Sequence, residues 1–221
     1  MSLTLYCHPF ASFCWKVLIA LYENDTPFTS QVVDLINQRE RAEFLKVSPF
    51  GKFPVIHDGE RGQTVLESTI IIDYLARHFP GTTALLPKDA DRALDVRYWD
   101  RFYDFYLHEP MQKVVADRRR DPEKRDPYGV QQAKAQLETS YTIIEREMAG
   151  RTWALGEEFT MADCSALPAL YYGNRVHPLG AHAVTAAYLG RLLARPSVGR
   201  VIREATPYLH LFPEEKPAID T

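Results

Sequence analysis

What most constrains this chain is a change of pattern near residue 81. Upstream, short β-prone runs alternate with helical periodicity; beyond about residue 90 no strand signal survives. A chain patterned this way reads as an α/β unit over 1–80 and an all-α helical bundle over 90–221. Residues 81–89, which hold Gly81 and Pro87, form the linker. A length of 221 residues is enough for two small cores that share an interface.

Within the first unit, Leu3 to Cys7 reads as a strand ended by His8-Pro9. Phe13, Val17, Ala20 and Leu21 then share one face of a helix over 12–24, which stops at the turn residues Asn24-Asp25-Thr26-Pro27. A second strand is expected over 28–33 and a charged helix over 38–46. From Ser48 to Gly59 two prolines and two glycines bracket a short apolar run, as in a loop that enters a strand and leaves by an Asp-Gly turn. Thr64-Val65-Leu66 is its hairpin partner. Glu67-Ser68 opens a helix that buries Ile71, Ile72, Leu75 and Ala76 and ends before Pro80-Gly81. The order β-α-β-α-β-β-α is the thioredoxin-like arrangement, a four-stranded mixed sheet with three helices.

Long helices are expected over 92–117 and 129–148. A third opens at Thr160-Met161-Ala162-Asp163, where a threonine followed three residues on by an acid is close to a capping box. Residues 164–172 are apolar almost all round, as in a helix buried inside a bundle. Shorter helices over 184–194 and 197–205 precede a proline-marked tail.

A formal net charge of −3 gives no reason to expect a nucleic-acid partner. Arg118-Arg119-Arg120 lies among Asp117, Asp121, Glu123 and Asp126, which reads as a solvated helix end. No basic segment followed by an apolar stretch opens the chain, and no apolar run approaches the roughly 18 residues of a membrane span. Cys7, Cys14 and Cys164 form neither a CxxC pair nor a metal-ligand cluster. These features predict a cytoplasmic protein with free thiols, no metal and no membrane partner.

Three short stretches carry chemistry. Ser12 follows the first strand at a helix start, where free backbone N–H groups and the helix dipole stabilise an anion; it also reads as an N-cap, worth about 1 kcal/mol. Lys52-Phe53-Pro54-Val55 precedes a strand. If Phe53-Pro54 is cis, the Phe53 backbone is free to pair with an extended peptide-like ligand; the alternative is an ordinary edge proline. Glu67-Ser68 reads as capping, or as an ammonium and carboxylate site for one amino-acid moiety. Trp99, Phe102, Tyr103 and Tyr106 fall at i, i+3, i+4 and i+7; that stripe is either bundle core or an aromatic wall for a substrate, with Arg101 and His108 as polar candidates nearby.

In order and spacing these stretches resemble the cytosolic glutathione S-transferase family. The resemblance rests on Leu5-Tyr6 entering the Ser12 turn, Gly51-Lys52-Phe53-Pro54-Val55, Leu66-Glu67-Ser68 with Ile71-Tyr74-Leu75, and Phe159-Thr160-Met161-Ala162-Asp163. It suggests a bacterial, serine-type member of theta-, zeta- or tau-like character. The resemblance implies a cis Pro54, glutathione along the Phe53 backbone, Glu67 and Ser68 at its γ-glutamyl end, and Lys52 near its glycyl carboxylate. Thr160 and Asp163 would be structural, and the protein a homodimer that activates the glutathione thiol against a small hydrophobic electrophile. A disulfide reductase or peroxidase, and a non-catalytic binding module, stay open as alternatives. Aligned on Cys14-Trp15-Lys16-Val17, the family's activating serine falls on Ala11, so Ser12 is expected to serve instead. Tyr6 and Cys14 resemble the nucleophile-activating residues of other members less well, and Cys14 reads as core.

Overall fold

The computed structural model describes residues 3–214. Met1-Ser2 and the end of the proline-marked tail, 215–221, lie outside the described residues.

Four strands form one sheet in the order β2-β1-β3-β4: β1 (Leu3–Cys7), β2 (Thr29–Val32), β3 (Val55–Asp58) and β4 (Gln63–Leu66). β1 pairs parallel with β2 and antiparallel with β3, with Leu5 opposite Ser30 and Ile56; β3 and β4 form an antiparallel hairpin. Three helices complete the unit: α1 (Ser12–Glu23), α2 (Gln38–Val47) and α3 (Ser68–His78). This is the thioredoxin-like arrangement with its mixed sheet. The parallel β1–β2 pair needs a crossover, which α1 supplies.

α1 differs from its expected amphipathic stripe. Every residue from Cys14 to Leu21 is buried, Lys16 included. The helix is covered all round, by the sheet, by α3, and by helices of the second unit. An all-buried helix tolerates a lysine only where partners neutralise it.

The second unit is helical: α4 (Ala90–Phe102), α5 (Glu109–Arg118), α6 (Pro127–Glu147), α7 (Met161–Val176), α8 (Ala183–Leu193) and α9 (Pro196–Ala205). A 3₁₀ turn over Thr206–Leu211, which the sequence reading did not anticipate, follows α9. α7 lies at the centre, buried on nearly every side and packed against α1, α4 and α5. Its start is held as expected: the buried Asp163 carboxylate accepts from the N–H groups of Thr160 and Ala154, each at 2.8 Å, and from Tyr188 O–H at 2.6 Å. The connection between α3 and α4 is pinned by reciprocal bonds between the Asn24 amide and the Thr83 backbone.

The helix expected over 92–117 is not uniform. Between α4 and α5 the chain widens into a π turn, Tyr103–His108, in which Glu109 N–H bonds the Asp104 carbonyl five residues back. Pro110 supplies the reason. It has no N–H, so the Tyr106 carbonyl four residues earlier loses its helical donor. That carbonyl is taken by Ser140 Oγ at 2.8 Å, and the Phe105 carbonyl by the Gln136 amide at 3.4 Å. A residue inserted into a helix rotates all that follows by about 100°. Here the result aligns Asp100, Asp104 and His108, all buried, toward α1.

Candidate active site

Two rungs join α1 to the α4–α5 path. At the first, Ser12 Oγ lies 2.6 Å from His108 Nε2. At the second, one turn along α1, Lys16 Nζ meets Asp100 at 2.9 Å, Asp104 at 2.8 Å and Thr69 Oγ1 at 3.1 Å. Ser12 is the first residue of α1 and not its N-cap; Ala11 holds that position, with extended backbone and no side chain to contribute. The first helical donor is the Cys14 N–H, which bonds the Ala11 carbonyl, so the Ser12 and Phe13 amides stand open at the positive end of the helix dipole. The turn before Ser12 is rigidly held, since Trp15 Nε1 donates to the Pro9 carbonyl at 2.6 Å and Tyr172 O–H to the Phe10 carbonyl at 3.1 Å.

His108 is fully buried and stacked on Phe13, with ring centroids 4.0 Å apart. Burial strips water from its charged form and the Lys16 ammonium repels it, which together push its pKa down to about 3. The imidazole is therefore neutral at physiological pH. Its Nδ1 meets no hydrogen-bonding partner among the described residues.

The Phe53-Pro54 peptide bond is cis. Phe53 lies just outside the sheet, whose pairing on this strand begins at Val55. Ser48 Oγ accepts from Lys52 N–H at 3.2 Å and donates to the Lys52 carbonyl at 2.8 Å, fixing the approach to the bond. The Lys52 side chain is exposed and has no acidic partner among the described residues. Val55 points its side chain into the core with Val33 and Phe44, so only its backbone is placed near the cleft.

Glu67 precedes α3 with φ 68°, a conformation that costs a non-glycine residue about 1–3 kcal/mol. Neither Glu67 nor Ser68 caps the helix with its side chain. Because the first helical bond here runs from Ile71 N–H to the Glu67 carbonyl, the amides of Ser68, Thr69 and Ile70 stay open. Arg101 lies beside this turn, paired with Asp100 at 2.8 Å and with Asp104, and donating to Thr69.

A cavity of about 600 Å³ runs from Ser48, Lys52, Phe53 and Pro54 to Glu67, Ser68, Arg101 and Asp104. A second, of about 380 Å³, is walled by Phe10, Phe53, Met111, Val115, Tyr172 and Phe212, and Ser12 and Arg119 line it too. Phe13, Lys52, Phe53 and Gln112 border both, so the two form one cleft. The structure thus gathers Ser12, Lys52, Phe53, Pro54, Glu67 and Ser68 around a continuous space.

The expected aromatic wall is corrected. Trp99, Phe102 and Tyr103 are buried in the helical core, while Tyr106 is half-exposed, and none of the four borders the cleft. The stripe holds together, with Trp99 against Phe102 at 4.9 Å and Phe102 against Tyr106 at 5.6 Å between ring centroids, but it faces the bundle core, the other of its two readings. The apolar wall comes instead from α5, α7, the turn before α1 and the segment after α9, regions far apart in sequence. Cys7, Cys14 and Cys164 are all buried, and burial raises each thiol above its usual range. Tyr6 faces Phe44 on the other side of β1. Among the described residues no cluster of His, Cys, Asp or Glu is arranged to hold a metal ion, and no helix is long and apolar enough to cross a membrane.

Lys16, Asp100 and Asp104 were not among the expected site residues. A lysine on an apolar helix carries no sign of burial, and its acids lie more than 80 residues away. Burial raises the Asp100 carboxyl, but Lys16, Ser165 and Arg101 outweigh it and hold the group below its ordinary value. Asp104 is held above it, by burial first and by repulsion from Asp100.

Comparison with known proteins identifies the family and the fold. Residues 5–83 match the family model described as glutathione S-transferase, N-terminal domain, and residues 127–212 the one described as glutathione S-transferase, C-terminal domain. The glutathione S-transferase-like protein LUC7 of a Fusarium species is 31% identical over 72% of this chain and 71% of its own. Glutathione S-transferase F12 of Arabidopsis thaliana is 30% identical over 78% and 82% respectively. Among solved structures, glutathione transferase URE2P6 of Phanerochaete chrysosporium, in complex with oxidized glutathione, shares the fold with a TM-score of 0.81 at 23% identity, over 93% of this chain and 97% of that one. With both halves matched and the thioredoxin-like sheet followed by its helical bundle, the chain belongs to the glutathione S-transferase family.

Proposed function

We propose that this protein binds glutathione in the larger cavity and activates its thiol, at Ser12, for attack on a small hydrophobic electrophile held in the smaller one. The observation that carries this reading is the continuous cleft, with Ser12 on the wall of the smaller cavity beside Phe13, which borders both. An extended peptide laid beside Phe53 pairs with backbone just ahead of the cis Pro54, as an added strand would. Its γ-glutamyl carboxylate meets the open amides of α3 and Ser68, its ammonium meets Glu67, and its glycyl carboxylate meets Lys52. The sulfur then lies over the start of α1, where the dipole, the open amides and the Ser12 hydroxyl favour the thiolate.

The smaller cavity suits a flat apolar electrophile, and Arg119 at its edge suits one that carries a carboxylate. Residues 1–80 act in this reading as the glutathione-binding unit and 90–221 as the helical unit that completes the electrophile pocket. A homodimer is supported by apolar side chains left exposed on neighbouring elements: Phe50 (83%), Ile70 (55%), Leu94 (65%) and Tyr98 (58%). Conjugation is favoured over disulfide reduction by the burial of all three cysteines, which leaves no protein thiolate to form a mixed disulfide. Cytoplasmic placement, with glutathione abundant, fits the same chemistry.

Calorimetric titration with glutathione tests the binding; no heat at millimolar ligand would sink the whole reading. With binding shown, Ser12→Ala should raise the pKa of the bound thiol by about one to two units, the worth of a hydrogen bond to a charged group. Ultraviolet titration of the thiolate measures it, and an unchanged curve removes Ser12 from the role. Turnover of a chlorodinitrobenzene probe then separates conjugation from a purely disulfide-reducing enzyme.

A further inference from the structure

We propose that His108 is a positioning residue that turns the Ser12 hydroxyl proton into the cleft: Nε2–H donates to Ser12 Oγ, leaving the single Ser12 proton for the thiolate sulfur. The inference rests on the glutathione reading above and adds to it the group that decides whether Ser12 can donate at all.

A hydroxyl has one proton. At 2.6 Å, Ser12 Oγ and His108 Nε2 share a hydrogen bond in which one gives and the other accepts. If Ser12 gives its proton to the ring, it has none for sulfur. The direction follows from the surroundings of the imidazole. The ring carries one proton at neutral pH, since burial and Lys16 oppose a second. Of its two nitrogens only Nε2 has polar neighbours, Ser12 Oγ and the Gln112 amide nitrogen at 3.3 Å. A proton on Nδ1 would be a buried donor with no partner. Unpaired buried donors are rarer than unpaired acceptors, so the proton belongs on Nε2. A proton on Nε2 requires the Gln112 amide to turn its oxygen to the ring in place of the nitrogen that lies 3.3 Å from it, an exchange that the two near-isosteric ends of an amide allow.

Nor does the ring turn freely. It is fully buried and lies flat against Phe13, at an interplanar angle of 6°. The chain Nε2–H to Oγ–H to sulfur then points every dipole at the developing negative charge, each bond polarising the next. His108 is not a general base for Ser12. No carboxylate orients its Nδ1, and its basicity is too low to take a serine proton. In the ionisation step the S–H bond breaks, its electron pair stays on sulfur, and the proton leaves to solvent water.

The test compares His108→Phe, His108→Gln and His108→Asn in the full chain. Phenylalanine keeps the stack on Phe13 and removes the donor. Glutamine places an amide N–H near Nε2, whereas asparagine reaches only as far as Nδ1. We expect H108F and H108N to raise the bound thiol pKa by about one unit, a roughly tenfold smaller thiolate fraction below that pKa, with the glutathione Kd within about twofold of the parent. H108Q should restore most of the shift. In the double variant S12A/H108F the two effects should not add, because both cut the same chain. If H108F fails to fold, the asparagine and glutamine pair gives the same comparison. Thiol titrations unchanged in H108F and H108N while S12A shifts would overturn this inference alone, as would additive effects in the double variant. An un-acidified thiol in the parent protein would overturn both the inference and the function it rests on.

Discussion

Replacing Lys16 by methionine is expected to lower folding stability by about 3–5 kcal/mol at neutral pH, the usual effect of removing one partner from a buried charge cluster. Methionine matches the length of the lysine stem, so the loss is not one of packing volume. What remains is a pair of carboxylates, on Asp100 and Asp104, both buried and stripped of the ammonium that met each within 3 Å. Arg101 still pairs with both, but its side chain is 40% exposed and its charge is shared with water. The deficit has a defined pH dependence. In the parent protein the Asp100 carboxyl is held low, so its stabilisation is full above the unfolded value of about 3.9 and fades as pH falls through the folded value. In K16M both carboxyls move up, so the folded state takes up protons more readily than the unfolded chain. Stability of the variant then declines as pH rises, and its deficit against the parent is larger at pH 8 than at pH 5. Urea midpoints at the two pH values check this; equal deficits would mean that the network is not electrostatic. Because Arg101 and Thr69 belong to the same network beside the open turn of α3, glutathione affinity should weaken in parallel.

Aspartate 163 is the second position where one atom group holds much structure. An Asp163→Ala variant should lose about 3–5 kcal/mol, because several buried donors are left unpaired at about 1–3 kcal/mol each. Those donors are Thr160 N–H, Ala154 N–H and Tyr188 O–H, from the start of α7, the loop before it and α8. Losing the acceptor therefore frees the N-terminus of the central helix and detaches two neighbours together. An asparagine keeps one oxygen and the shape, and should recover part of the loss. Chemical unfolding of the three proteins measures the order; a D163A midpoint close to that of the parent would show that water replaces the carboxylate at no cost.

These two positions differ in how far they could be read from the chain. Thr160 and Asp163 stand three residues apart at the head of an apolar run, so their capping relation is local and their spacing announces it. The same holds for Glu67-Ser68 at the start of α3 and for Phe53-Pro54 ahead of β3, where proline restricts the backbone within one or two residues. Lys16 announces nothing. Its partner Asp104 lies 88 residues on, and a lysine in an apolar helix looks like any solvated lysine until the second unit closes over it. His108 and Ser12 are separated by 96 positions, and their meeting depends on a π turn caused by Pro110, two residues beyond. The aromatic stripe from Trp99 to Tyr106 keeps its ring contacts, and whether such a stripe faces a core or a cleft is decided by how the helices pack, not by its spacing.

Ser12 at a helix start, the cis-compatible Phe53-Pro54 step, the Glu67-Ser68 turn and the alternation of strands and helices are consequences of short-range sterics and capping. Those forces act between neighbours, so the amino-acid order alone carries the glutathione S-transferase fold and the outline of its cleft. Which way the Ser12 proton points, what neutralises Lys16 and which side chains wall the second cavity depend on contacts between the two units. Such contacts join residues 88 positions apart, as Lys16 and Asp104, or 162, as Phe10 and Tyr172, and only the packed structure brings them within hydrogen-bonding distance.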